Sequence, residues 1–334
     1  MNSSREKKRA ESPEAAEGGA ETSTGGRAGS NPSPPLSGSL AYKLAYKLTY
    51  KELYLLAKKE LQKAELESPA FDALCLFEKV FSMGRRELAL YGEEIPSQEK
   101  AEELRSLLSK RAERTPLQYL LGSWPFYGME LRVGEGVLVP REETELLVDA
   151  AAERLLLQRE KGYLPETPQI ADLCSGTGAV ALALKGEFPQ SRITAVEKFP
   201  EAYGYLLENI RATGREVIPL RADILSSKTA EGFSGLSALV SNPPYVEAGE
   251  IPRLQPEVQK EPLSALDGGN DGLRFYRAIA RLWIPRLLPG GVCAVEIGEN
   301  QSEAVSALFQ QAGLREISIL RDFSGLDRVV AGFR

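Results

Sequence analysis

From Gln169 onward, short β-branched runs alternate with stretches of helical period, and no other feature restricts the fold of this chain more. Strands are expected at Gln169–Leu173, Arg192–Glu197, Val217–Ala222, Ala238–Ser241, Val292–Ile297, Glu316–Leu320 and Arg328–Phe333. Helices are expected at Val180–Phe188, Pro200–Thr213, Leu273–Leu288 and Ser302–Ala312. A strand followed by a helix and then a strand closes, in almost all cases, as a right-handed crossover between parallel strands of one sheet. The pattern therefore predicts a doubly wound, mostly parallel seven-stranded α/β sheet with helices on both faces. Only a turn separates the last two runs, which allows an antiparallel pair at one edge.

The stretch before this alternation reads differently. From Thr49 to Arg114 the period is helical, with Leu53, Leu56, Ala57 and Leu61 forming one apolar stripe. A second stripe runs through Phe71, Leu74, Cys75, Phe77, Val80 and Phe81, and Ser97 is placed to cap a third helix. Residues 41–114 are thus expected to be a small all-helical domain. Residues 115–140 are expected to link it onward, with a β-hairpin of Met129–Val133 and Val137–Val139 turning at Gly134-Glu135-Gly136. Residues 141–334 then form the α/β domain. The first 40 residues balance their charges and are dominated by Gly, Ser, Pro, Ala and Glu, so they are expected to be a disordered tail. The repeat AYKLAYKLTYKEL after it is read as the start of a helix.

Composition removes whole classes of chemistry. The chain of 334 residues contains no histidine, which excludes Ser-His-Asp and Cys-His catalysis, imidazole bases and histidine-held zinc. Its three cysteines, Cys75, Cys174 and Cys293, form no CxxC pair, so neither a bound metal nor a disulfide framework is expected. The net charge of −6 argues against bulk attraction to duplex nucleic acid. No apolar run reaches the roughly 18–20 residues of a membrane span, and the N-terminal segment has the pattern of neither a secretory signal nor a transit peptide.

Three motifs sit at successive strand ends. Asp172-Leu173-Cys174-Ser175-Gly176-Thr177-Gly178 lies between a strand and a helix, where small residues let the backbone turn tightly and approach a ligand. Leu182 stands where a dinucleotide fingerprint needs a third small residue, which disfavours NAD; a tight turn without ligand is the plain alternative. Glu197 closes the next strand, about 20 positions on, where a carboxylate can accept the hydroxyls of a ribose or serve a helix N-terminus. Asp223, with Ile224 beside it, is placed to reach an adenine amino group one strand later.

The sharpest motif is Asn242-Pro243-Pro244-Tyr245, after Ser241. Paired prolines stiffen the backbone and remove competing N–H donors. The carbonyls of Asn242 and Pro243 and the Asn242 side-chain oxygen can then accept both hydrogens of one planar –NH2 group. Tyr245 can stack on the flat system attached to that nitrogen. A merely rigid turn is the plain alternative.

Taken together, Asp172–Gly178, Glu197, Asp223 and Asn242–Tyr245 resemble a class I S-adenosylmethionine-dependent methyltransferase (Rossmann-like) that modifies a planar amino nitrogen. More narrowly, Leu138-Val139-Pro140-Arg141-Glu142-Glu143-Thr144-Glu145 is similar to the family of release-factor glutamine N(5)-methyltransferases. So are Glu261-Pro262-Leu263-Ser264-Ala265-Leu266, Asp271-Gly272-Leu273-Arg274-Phe275-Tyr276, and the closing Arg321-Asp322-Phe323 with Asp327-Arg328. The likeness spans about residues 50 to 334. It departs from the commoner family residues at Cys174-Ser175, Glu197 and Glu142, each a change that keeps size or chemistry.

The resemblance implies a cytoplasmic enzyme that transfers a methyl group from S-adenosylmethionine to the glutamine amide of the Gly-Gly-Gln loop of class 1 peptide chain release factors. Cofactor contacts are expected from Asp172, Cys174, Ser175, Gly176, Thr177, Gly178, Glu197, Asp223, Ile224 and Asn242. Catalysis is assigned to Asn242, Pro243 and Tyr245, and substrate contact to these with Pro244. The helical domain is expected to dock the release factor, and the chain to work as a monomer without a membrane or direct nucleic-acid partner. The alternatives are an adenine N6 or guanine N2 methyltransferase acting on nucleic acid, or a binding module that keeps the fold without chemistry. Arg141, Glu145 and Arg274 are either substrate contacts or plain surface charges.

Overall fold

A computed structural model describes residues 48–334. The expected tail and most of the AYKL repeat lie outside the described residues. Five helices come first: α1 Tyr50–Lys63, α2 Pro69–Phe81, α3 Arg85–Tyr91, α4 Gln98–Ala112 and α5 Leu117–Leu121. Thr49 and Glu52 form a capping box at α1, Pro69 opens α2, and Ser97 caps α4 by accepting the Lys100 N–H. Leu53, Ala57, Leu61, Leu76, Phe77 and Leu104 enclose a core separate from that of the sheet.

The α2 stripe is rotated from its expected phase. Phe71 is exposed and Asp72 is buried. Asp72 turns inward because the buried Arg111 of α4 meets it at 2.7 Å. A charge satisfied by an ion pair can occupy a position that hydrophobic periodicity alone would leave to a phenylalanine.

The hairpin also differs. β1 Ser123–Phe126 pairs with β2 Met129–Arg132, so the partner of Met129–Arg132 lies upstream and not at Val137–Val139. Tyr127 and Gly128 turn the chain with φ of 47° and 70°, the doubly positive geometry of a type I′ turn. Gly134 and Gly136 serve close packing instead. A Cβ on Gly136 would stand 2.7 Å from the Glu201 Cβ, and one on Gly134 would stand 3.1 Å from the Tyr205 ring.

Helix α6, Glu145–Glu160, then leads into the sheet. Apolar periodicity does not predict it, because ELLVDAAAERLLLQRE has no clear apolar side. Next come β3 Gln169–Leu173, α7 Ala179–Glu187, β4 Arg192–Glu197, α8 Pro200–Thr213, β5 Ile218–Arg221, α9 Ser227–Glu231 and β6 Leu236–Ser241. After a long excursion follow α10 Arg274–Ala278, β7 Leu287–Glu296, α11 Ser302–Gln311, β8 Arg315–Arg321 and β9 Asp327–Phe333. The helix expected over Leu273–Leu288 is broken: α10 passes into a π turn at Ile279–Trp283 and a 3-10 turn holding Pro285.

The seven strands lie in the order β5-β4-β3-β6-β7-β9-β8, with β9 antiparallel to both its neighbours and the remaining pairs parallel. This is the expected doubly wound sheet with its antiparallel edge. Strand residues alternate between two cores: Ile170, Ala238, Val240 and Val292 face one, while Ala171, Leu173, Leu239 and Cys293 face the other. Among the described residues no helix is long and apolar enough to cross a membrane, and no cluster of His, Cys, Asp and Glu could hold a metal.

Candidate active site at the sheet's switch point

Strand order reverses between β3 and β6, and doubly wound sheets bind ligands in the crevice outside such a point. Register fixes what meets there. Leu173 pairs with Val196 and with Ser241, and Ser241 pairs with Val295, so the chain after each strand emerges at one level. Cys174, Glu197, Asn242 and Glu296 are brought together in this way. A cavity of about 480 Å³ opens there, lined by Cys174, Glu197 and Asn242, while Glu296 is buried and does not line it.

Its floor is the glycine turn. Cys174 adopts φ 59°, Gly176 53° and Gly178 83°, so the backbone reverses tightly enough to start α7. Gly178 has no side chain with which to cap that helix, and the Asp172 Oδ2 supplies the cap by accepting the Ala181 N–H at 3.1 Å. Burial pushes the Asp172 carboxyl up to about 7, against the lowering effect of its Ser175 and Ala181 hydrogen bonds. The Ser175 N–H donates to the Val196 carbonyl, the Gly178 N–H to the Ser175 carbonyl, and the Gly176 N–H to the Glu197 Oε2 at 2.9 Å. These three turn donors are thus committed inside the protein.

Glu197 Oε1 also accepts from the Lys198 and Phe199 N–H groups at 2.7 and 2.8 Å. Three of the carboxylate's roughly four acceptor directions are therefore taken, which leaves one on Oε2. Burial raises the Glu197 pKa, partly offset by these backbone donors. Asp223 turns its own loop by accepting the Leu225 N–H at 2.9 Å and pairs with the Lys198 Nζ at 2.9 Å. Burial pushes its carboxyl upward, but the Lys198 and Leu225 hydrogen bonds outweigh that and hold it below the ordinary value.

Of the residues expected from the sequence to contact cofactor or substrate or to act in catalysis, Asp172, Cys174, Ser175, Gly176, Thr177, Glu197, Asp223, Ile224, Asn242 and Pro244 line the cavity. Gly178, Pro243 and Tyr245 are not among the lining residues. The Tyr245 ring does not lie across the cavity as a stacking platform. It packs against the second core, its hydroxyl donates to the Glu296 Oε1 at 3.2 Å, and its carbonyl accepts from Gln301 at 3.0 Å.

The opposite wall is built from the other family-like segments. Glu261 is buried, accepts the Val139 N–H at 3.0 Å and pairs with Arg141, which ties the two segments together. Arg141 lines the cavity as well as pairing with Glu261, whereas Glu145 is an internal partner, its Oε1 accepting the Tyr127 N–H at 2.6 Å. Arg274 lines the cavity with its guanidinium over Phe275. The closing motif locks the β8–β9 hairpin through Arg321–Asp327 and Arg328–Asp322, each at 2.9 Å.

Several contributors carry no local sequence signal. Asn209 on α8 is fully buried, exchanges hydrogen bonds with Arg132 of β2, and donates to the Thr177 carbonyl at 3.0 Å. It thereby ties the hairpin to the glycine turn. Gly268 lies directly against Tyr245: an added Cβ would stand 2.8 Å from the Tyr245 Cα. Because the obstacle is backbone, Gly268→Ala is expected to cost about 1–3 kcal/mol, read as a lower midpoint of chemical unfolding.

Two family models match the chain, the PrmC N-terminal domain over residues 52–122 and the methyltransferase small domain over residues 145–264. The release factor glutamine methyltransferase of Thermodesulfovibrio yellowstonii is 39% identical over 234 residues, covering 70% of this chain and 81% of the relative. That of Geobacter sulfurreducens is 34% identical over 278 residues, covering 83% and 92%. Among solved structures, the release factor-specific protein-(glutamine-N5) methyltransferase of Alicyclobacillus acidocaldarius is 28% identical. It covers 61% of this chain and 98% of its own, with a TM-score of 0.37.

Proposed function

This chain belongs to the family of release factor glutamine methyltransferases, and we propose that it methylates its glutamine through an acceptor clamp centred on Asn242. It is an S-adenosylmethionine-dependent protein-glutamine N-methyltransferase. The observation that carries the clamp is that Asn242 stands on the wall of the same cavity as the glycine turn, Glu197 and Asp223. Within the family the glutamine is taken to be that of the Gly-Gly-Gln loop of a class 1 release factor.

S-adenosylmethionine supplies an electrophilic methyl group when bound. Its adenosine part would be held by the turn from Asp172 to Gly178, by the free acceptor of Glu197, and by Asp223 with Ile224. A glutamine amide nitrogen is a poor nucleophile because its lone pair is delocalised into the carbonyl. No side chain of this protein is basic enough to deprotonate it first. Asn242 Oδ1 and the Pro243 carbonyl instead accept its two N–H bonds and turn the lone pair toward the methyl group. The same acceptors stabilise positive charge as it develops on the nitrogen. The surplus proton passes to water afterwards. Tyr245 contributes by bracing the tetrapeptide from below.

The helical N-terminal part is read as the docking surface for the release factor. The enzyme is read as cytoplasmic and monomeric, with no direct nucleic-acid contact. Incubating the protein with methyl-labelled S-adenosylmethionine and, in separate reactions, a class 1 release factor, RNA and DNA tests the assignment. Label is expected on the release factor. Label on nucleic acid alone would replace the protein substrate with an exocyclic base amine.

A further inference from the structure

Beneath Asn242 lies a chain of hydrogen bonds whose direction is dictated from one end. The Glu296 carboxylate, at the end of β7, is buried. Its Oε2 accepts from the Thr144 hydroxyl at 2.6 Å and its Oε1 from the Tyr245 hydroxyl at 3.2 Å. Thr144 in turn accepts from the Asn242 Nδ2 at 3.1 Å. An ionised carboxylate only accepts, so the one hydroxyl proton of Thr144 must point to Glu296. Thr144 can then only accept from Asn242, which turns the amide nitrogen toward Thr144 and leaves the Oδ1 for the cavity.

We propose that Thr144 and Glu296 are positioning residues that fix which end of the Asn242 amide faces the substrate. The inference rests on the clamp reading above and explains how the clamp stays set. An asparagine amide is nearly symmetric in shape and can turn over with little steric cost. Turned over, it would present an N–H2 donor to the substrate N–H2 donor, and the clamp would repel what it should hold. Glu296 also holds Tyr245, so one carboxylate braces both ends of the tetrapeptide. Burial raises the Glu296 carboxyl to about 6, held from going higher by the Thr144 and Tyr245 hydroxyls and Arg328, while Glu143 pushes it up. It is thus ionised, and an acceptor only, at neutral pH.

Steady-state methyl transfer by the full-length protein separates this role from plain packing. Thr144→Val keeps the shape and removes the hydroxyl. Glu296→Gln keeps the shape but places an N–H2 donor in the brace. Each is expected to lower kcat by about 10–100-fold, with the dissociation constant for S-adenosylmethionine changed less than about twofold. Thr144→Ser, which restores the hydroxyl, is expected to recover kcat to within about threefold of the parent, and the Thr144→Val/Glu296→Gln double variant to be no slower than either single one. Unchanged kcat in both single variants, or a loss matched by weakened cofactor binding, would overturn the positioning role. Asn242→Ala run alongside separates the two readings. If it is inactive while Thr144→Val and Glu296→Gln are not, the clamp stands and the brace fails. If Asn242→Ala itself turns over normally, the clamp has failed first.

Discussion

Replacing Asn242 by alanine is expected to reduce kcat for methyl transfer by about 10²–10³-fold, with affinity for S-adenosylmethionine nearly unchanged. The magnitude follows from what is removed. A preorganised polar group aimed at charge that develops in the transition state is worth about 2.7–4 kcal/mol, and most of that is absent from the ground state. The remaining wall of the cavity, with the glycine turn, Glu197 and Asp223, does not depend on the Asn242 side chain. Binding of cofactor and catalysis should therefore separate. Calorimetric titration with S-adenosylmethionine and steady-state kinetics on the same preparation test this, and equal losses in both would show that Asn242 serves binding and not the reaction.

The largest expected effect on stability is at Arg111. Its guanidinium is buried between Asp72 at 2.7 Å and Glu257 at 3.0 Å, and it also donates to the Thr115 carbonyl. Burial already raises the Asp72 carboxyl despite the neighbouring Arg111 charge. Without Arg111 that carboxylate would be buried and unpaired, so Arg111→Ala is expected to destabilise the fold by about 3–5 kcal/mol. Adding Asp72→Asn should recover part of the loss, because the uncompensated charge goes with it. Urea unfolding of the two variants checks both statements. Glu257 also pairs with Arg114 at 3.2 Å and belongs to the excursion between the tetrapeptide and Glu261. The helical part is thus clamped onto the segment that shapes one wall of the cavity, so Arg111→Ala should loosen the site as well.

The strands of the sheet and the turns at their ends were legible because their signals are local. A β-branched run next to a glycine turn, or two prolines after an asparagine, is written in consecutive residues. What stayed hidden depends on distant partners. Thr144 and Glu296 are 152 positions apart, and nothing in either neighbourhood marks them as a pair. Nothing local marks Asp72 as buried, because its partner Arg111 is 39 positions on. The hairpin lies one strand upstream of the expected one for a related reason. Gly134 and Gly136 carry the usual mark of a turn but answer to α8, while Tyr127 occupies a left-handed position more often given to Asn or Gly. Stacking is what the position of Tyr245 in its motif suggests, whereas the carboxylate that holds its hydroxyl lies 51 positions on.

The central claim, methyl transfer to a glutamine side-chain nitrogen held by Asn242, is tested most directly by locating the added methyl. A class 1 release factor is treated with the protein and S-adenosylmethionine, digested, and sequenced by fragmentation mass spectrometry. The account predicts one methyl group on the side-chain amide of the Gly-Gly-Gln glutamine, missing both with Asn242→Ala and from a substrate carrying alanine in place of that glutamine. A methyl group on any other residue, or full methylation by the Asn242→Ala variant, would contradict it.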